Sequence, residues 1–167
     1  MKNTRIAIVE DEWTVAEEMK MVLQSMQYDV TSMDLSGEEA IRNVEKDKPD
    51  LVLMDIVLEG EMDGIETANE IRSRFNIPII YLTAYTDEKI LERASVTGPF
   101  GYIVKPFVNE DLKISIEIAM YKYRIELERK RFIEELYGAL PNITSLSGLL
   151  PVCPSCKKVR DAEGNWK

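Results

Sequence analysis

Residues 50–55 read Asp50-Leu51-Val52-Leu53-Met54-Asp55, an apolar run bounded by two carboxylates. An unbroken apolar run of this length fits a strand covered on both faces, the habit of parallel sheets. The carboxylate that closes it, Asp55, then stands at the carboxyl end of a buried strand. Working outward, Arg5-Ile-Ala-Ile-Val9, Pro78-Ile-Ile-Tyr-Leu-Thr83 and Phe100-Gly-Tyr-Ile-Val104 are runs of the same kind. Tyr28-Asp-Val-Thr-Ser-Met33 is more polar and suits an edge strand.

Helical patterns separate these runs. Val15, Met19, Val22, Leu23 and Met26 recur at helical spacing. Ser36-Gly-Glu-Glu39 has the form of a capping box and opens a helix carrying Ala40, Ile41 and Val44. Ile65, Ala68, Ile71 and Phe75 mark a third helix, and Asp87 to Val96 a fourth, ended by Gly98-Pro99. Strands alternating with helices predict an α/β fold, an open, doubly wound parallel sheet. In such sheets ligands bind beyond the carboxyl ends of the strands. Glu10, Asp11, Asp55, Thr83 and Lys105 stand there.

Composition narrows the function. With 21 Lys and Arg against 30 Asp and Glu, the net charge is −9. So acidic a surface repels nucleic acid and anionic lipid, which argues against direct DNA binding. Histidine is absent from all 167 residues, so no Ser-His triad, histidine zinc site or phosphohistidine can form within them. No apolar run is long enough for a membrane span, and the N-terminus lacks the pattern of a secretory signal. The expected location is cytoplasmic.

Carboxylates crowded at neighbouring strand ends raise one another's pKa unless a cation offsets their charge. Glu10, Asp11 and Asp55 offer the oxygen donors that Mg²⁺ prefers. A carboxylate is also a competent nucleophile towards phosphorus. The charge on a transferring phosphoryl group needs fixed donors, for which Lys105 and Thr83 are the candidates. Lys105-Pro106 is a candidate cis peptide.

Ile8-Val-Glu-Asp-Glu12, Leu53-Met-Asp-Ile56, Met62-Asp-Gly-Ile-Glu66, Leu82-Thr-Ala84 and Lys105-Pro-Phe107, in this order, resemble the receiver domain of response regulators. The resemblance covers roughly residues 4–122. It implies a flavodoxin-like five-stranded sheet of order 2-1-3-4-5. It implies that Asp55 accepts a phosphoryl group from a histidine kinase, with Mg²⁺ on Glu10, Asp11, Asp55 and the Val57 carbonyl. Thr83, the Ala84 amide and Lys105 would bind the phosphate, and Thr83 with Tyr102 would form the switch. Such a domain is a signalling element, catalysing only its own phosphoryl transfer and dephosphorylation. The Glu10-Asp11 pair stands where Asp-Asp is also common. An EF-hand-like spacing at Glu59, Glu61, Asp63, Gly64 and Glu70 is set aside, because a buried strand rather than a helix precedes it.

The domain expected over residues 1–122 is followed by a helical extension, 123–140. Ile118, Ile125, Phe132 and Ala139 recur every seven residues, with Lys122 and Arg129 interrupting the pattern. A projecting helix with this stripe is expected to pair in a coiled-coil homodimer. Residues 141–167 read as an irregular linker, cut from a longer signalling protein. Its Cys153-Pro-Ser-Cys156 is a lone CxxC, half a zinc site that two chains could pool, or else a turn with two reduced thiols. Two other readings stay open: a receiver acting only as a binding module, and the regulatory part of an enzyme.

Overall fold

The structure is a computed structural model that describes residues 3–84 and 88–144. The strands are β1 (Arg5–Val9), β2 (Asp29–Asp34), β3 (Leu51–Asp55), β4 (Ile79–Thr83) and β5 (Gly101–Val104). The helices are α1 (Trp13–Ser25), α2 (Gly37–Asp47), α3 (Gly64–Phe75), α4 (Glu88–Val96) and α5 (Asn109–Thr144). The chain divides into two units, Met1–Ile125 and Glu126–Lys167.

In the first unit the strands pair in parallel, as the alternating pattern predicts, in the order β2-β1-β3-β4-β5 that the resemblance implies. Alternation along each strand builds two cores. Ile6, Ile8, Leu51, Leu53, Ile80 and Leu82 face α1 and α5. Ala7, Val9, Val52, Met54, Ile79 and Tyr81 face α2, α3 and α4. Each fully buried Ile, Leu or Val contributes about 1.5–3 kcal/mol. The more polar β2 is an edge strand of mostly half-buried residues.

Helix starts differ from expectation in detail. Ser36 Oγ does accept from Glu39 N, but Glu39 Oε2 accepts from Leu35 N rather than closing the box on Ser36. The full capping box lies at Asp63 and Glu66, where each side chain accepts from the other's backbone N–H. Gly64 follows because nothing larger fits: a Cβ there would lie 1.8 Å from the Asp55 carbonyl oxygen. Met62-Asp63-Gly64 thus shapes the turn into α3.

The expected start of α4 at Asp87 lies outside the described residues, as do Cys153, Cys156 and most of the proposed linker. Helix α5 runs past Pro141 to Thr144. Proline removes one backbone donor, yet the helix continues past it through the described residues. In the second unit Lys130 Nζ meets Glu126 Oε1 at 2.8 Å, and Leu127, Phe132, Ile133, Leu136 and Tyr137 are exposed.

Candidate functional site

The parallel register sets the carboxyl ends of β1, β3, β4 and β5 along one edge. Val9 pairs with Met54, Asp55 with Leu82, and Thr83 with Val104. The residue after each strand, or its last, therefore meets its neighbours: Glu10 and Asp11 after β1, Asp55 closing β3, Thr83 closing β4, Lys105 after β5. All five converge as the sequence predicts. Carboxylate oxygens of Glu10, Asp11 and Asp55 lie within 4.8 Å of one another. Lys105 Nζ donates to Glu10 Oε2 and to Asp55 Oδ2, both at 2.5 Å. The Lys105-Pro106 peptide is cis.

Burial separates the roles open to these groups. Glu10 is 1% exposed, Asp55 and Thr83 each 8%. Burial pushes the Glu10 carboxyl up to about 7, against the pull of its hydrogen bond from Lys105, with the nearby Asp55 adding to the rise. Burial works against the Lys105 ammonium, but its hydrogen bonds to Asp55 and Glu10 outweigh that, and its pKa is raised. Lys105 is therefore a fixed positive charge. Asp55, Thr83, Val57, Ala84 and Lys105 line a cleft of about 560 Å³ that opens to solvent.

Backbone groups hold the acids in place. Val57 N donates to Asp55 Oδ1 at 2.9 Å, and Glu59 N to Asp11 Oδ2 at 3.0 Å. Hence the β3–α3 connection grips acids from two strands. Tyr102 lies in β5, 38% exposed, opposite Tyr81 in the β4–β5 register, with ring centroids 5.8 Å apart. Its hydroxyl is raised in pKa by burial.

Three features escaped the sequence reading. Arg93 Nη2 donates to Asp63 Oδ2 at 2.8 Å, and the Tyr81 hydroxyl lies 2.8 Å from Thr97 Oγ1. Asp34, at the end of β2, is fully buried and accepts from Asn43 Nδ2 and Ser32 Oγ. Apart from Ser32 with Asp34, each joins residues brought together by packing, so no local motif announced them. A clue to Asp34 was a lone acid ending a strand pattern.

A family profile described as "Response regulator receiver domain" matches residues 6–117. The chain belongs to the response-regulator receiver family. It is similar to the "Transcriptional regulatory protein PdtaR" of Mycobacterium tuberculosis, 38% identical over 120 residues, covering 72% of this chain and 58% of that protein. It also resembles the "Heme response regulator HssR" of Staphylococcus aureus, 30% identical over 129 residues, covering 77% of this chain and 57% of that protein. The chain thus spans somewhat over half the length of these curated relatives. Among solved structures it resembles the signal receiver domain of a modulated diguanylate cyclase from Desulfovibrio desulfuricans, with TM-score 0.72 and 38% identity over 75% of this chain and 99% of that one. Receiver domains serve phosphorylation-dependent two-component signalling. Among the described residues, no helix is long and apolar enough to cross a membrane.

Proposed function

We propose that the chain is a phosphorylation-controlled switch whose acceptor is Asp55, supplied by a histidine kinase or a small acyl-phosphate donor. The observation that carries this reading is the setting of Asp55: nearly buried, bound by Lys105, flanked by Glu10 and Asp11, at the floor of an open cleft. Asp55 Oδ1 is engaged by the Val57 amide, and Oδ2 by the Lys105 ammonium. Oδ2 attacks phosphorus as Lys105 transfers its hydrogen bonds to the incoming phosphoryl oxygens. An O–P bond forms, and the bond from phosphorus to the donor's nitrogen or oxygen breaks. The donor leaves with the bonding pair.

The all-oxygen donor set and the raised pKa of buried Glu10 fit a hard divalent cation. Glu10, Asp11, Asp55 and the Val57 carbonyl would hold Mg²⁺, which supplies charge neutralisation for the phosphoryl oxygens. Thr83 and the Ala84 amide bind the remaining oxygens. Thr83, drawn to the phosphoryl group, leaves space that Tyr102 enters, and the signal passes to α4, β5 and α5. The domain catalyses no reaction beyond its own phosphorylation and dephosphorylation. It acts in the cytoplasm and does not bind nucleic acid itself. In α5, Ile114, Ile118, Tyr121 and Ile125 of the first unit are exposed, as is Phe132 of the second, which supports pairing with a second copy. The boundaries at 122 and 140 belong to this proposal, as do the two readings of Cys153 and Cys156, a zinc site pooled between chains or a turn with two reduced thiols.

A second reading is the regulatory segment of a longer enzyme. The likeness to the receiver of a diguanylate cyclase favours it. The test of the first is incubation with an acyl phosphate and Mg²⁺. One acid-labile, hydroxylamine-sensitive phosphoryl group per chain is expected, lost in Asp55→Asn. Labelling that persists in Asp55→Asn would overturn the assignment. Light scattering of the same samples reads the pairing: a monomer with and without the phosphoryl group removes the coiled coil.

A further inference from the structure

Helix α4 is held less by apolar burial than its neighbour α3. Among its described side chains Ala94 is fully buried and Ile90 packs partly against the core, while Leu91, Glu92, Arg93, Ser95 and Val96 are exposed. Alanine and half an isoleucine anchor a helix weakly. Its position therefore depends more on polar contacts, and two stand at different points along it.

The first is at its C-terminal end. Tyr81 is wholly buried in β4, and its hydroxyl meets Thr97 Oγ1 at 2.8 Å. Thr97 Oγ1 also lies 2.8 Å from the Ala94 carbonyl, to which it donates its single proton. Tyr81 is thus the donor in the pair. The Tyr81 ring lies beside Tyr102 on the neighbouring strand. The second contact is Arg93 Nη2 to Asp63 Oδ2. The other Asp63 oxygen caps α3, so Asp63 belongs to the same connection whose Val57 and Glu59 amides hold Asp55 and Asp11. One contact therefore touches the neighbour of Tyr102, and the other touches the loop that grips the acidic cluster.

We propose that Tyr81 with Thr97, and Arg93 with Asp63, form a two-point clasp on α4, and that opening this clasp is the step that admits Tyr102 on phosphorylation. Tyr81 and Arg93 are positioning residues: they touch no phosphoryl oxygen. The inference rests on Asp55 being the acceptor. The strengths suit a switch. A hydroxyl pair and an exposed ion pair each hold a helix by a small factor, enough to set a resting position without locking it. The Arg93 arm is exposed, 56% for Arg93 and 32% for Asp63, so salt weakens it, whereas the buried Tyr81 arm is insensitive to salt.

The test uses the whole chain with Tyr81→Phe, Arg93→Gln and the double variant, read by amide hydrogen exchange and by beryllofluoride titration with Mg²⁺. Exchange across residues 89–97 is expected to rise about two- to tenfold in Tyr81→Phe, the range for one hydrogen bond. The rise is smaller in Arg93→Gln, and there it disappears in molar salt. Exchange in α1 and α3 stays unchanged. The half-saturating beryllofluoride concentration falls by the same factor, because the responsive state is more populated beforehand. Unchanged α4 exchange in both single variants overturns the clasp. Faster exchange with unchanged or weaker beryllofluoride binding overturns its link to the switch. Wild-type protein that binds no beryllofluoride overturns the Asp55 reading instead, and with it the link, so the failures are distinct.

Discussion

Helices α3 and α4 pack on the same face of the sheet and are built to opposite ends. Helix α3 buries Ile65, Thr67, Ala68 and Ile71, starts in a complete capping box, and ends on Asn76 in the left-handed region at φ 53°. Among its described side chains helix α4 fully buries Ala94, and side-chain contacts at Arg93 and at Thr97, just beyond its end, add to this. The first fixes the backbone around Asp55, since Gly64 N donates to the Ile56 carbonyl at 3.0 Å. The second is the element that responds in the proposed switch. Apolar burial is strong and indifferent to direction, whereas single polar contacts are weak and break at defined points. A switch needs both kinds side by side, a scaffold that does not yield and an element that does.

The largest effect is expected where the scaffold meets Asp55. Gly64→Ala forces a Cβ to within 1.8 Å of the Asp55 carbonyl oxygen, and backbone cannot rotate aside. A loss of about 3 kcal/mol in chemical denaturation is expected, the upper range for overpacking. Phosphoryl transfer should fall with it, as Asp55 shifts. Wild-type stability in this variant would mean that α3 is not rigidly seated. Next comes a matched pair of truncations. Ile71→Ala, in α3, should cost about 2–5 kcal/mol. Leu91→Ala, in α4, removes a side chain already 38% exposed and should cost only about 1 kcal/mol. Similar losses from both would erase the contrast between the helices. Thr83→Ala is read in the response rather than in stability. It should leave Asp55 phosphorylation in place while the change of α4 exchange with beryllofluoride is reduced severalfold, because the hydroxyl that follows the phosphoryl group is missing. An undiminished α4 response would remove Thr83 from the switch.

The same contrast explains what could be read without coordinates. The sheet was legible because both-face burial writes itself as unbroken runs such as Leu51–Met54, and the acidic cluster because strand ends in parallel sheets share one edge. Lys105 was legible as a fixed charge for a phosphoryl group beside Asp55, but its equal grip on Glu10 was not, since that depends on which acid the fold buries deeper. The contacts of α4 were invisible. Arg93 has many exposed acids within sequence reach, and only packing chooses Asp63, thirty positions away. The capping box was read at Ser36 when the complete one is at Asp63, because both stretches offer an acid three residues after a cap and only the backbone decides whether it turns back.

Asp34 provides the smallest prediction and a control for the rest. It lies at the end of β2, fully buried, tied to α2 through Asn43 and to its own strand through Ser32. Burial raises its carboxyl pKa above the ordinary 3.8, the hydrogen bonds from Asn43 and Ser32 oppose this, and Glu39 and Asp47 add to the rise. The native state therefore holds this proton more tightly than the unfolded chain. Stability supplied by the protonated form is present below pH 3.8 and is lost as pH rises towards the native value. In Asp34→Asn the amide oxygen still accepts from Asn43 and its NH₂ donates to Ser32, with no charge left to bury. The variant should equal or exceed the wild type in stability at pH 7, and the difference should shrink as both are titrated into acid. The Asp34 side chain touches neither α4 nor Asp55, and the bond from Glu10 N to its carbonyl survives the substitution, so beryllofluoride affinity and α4 exchange should stay at wild-type values. A changed α4 response in Asp34→Asn would show that the scaffold itself takes part in the switch, and the division between α3 and α4 would have to be redrawn.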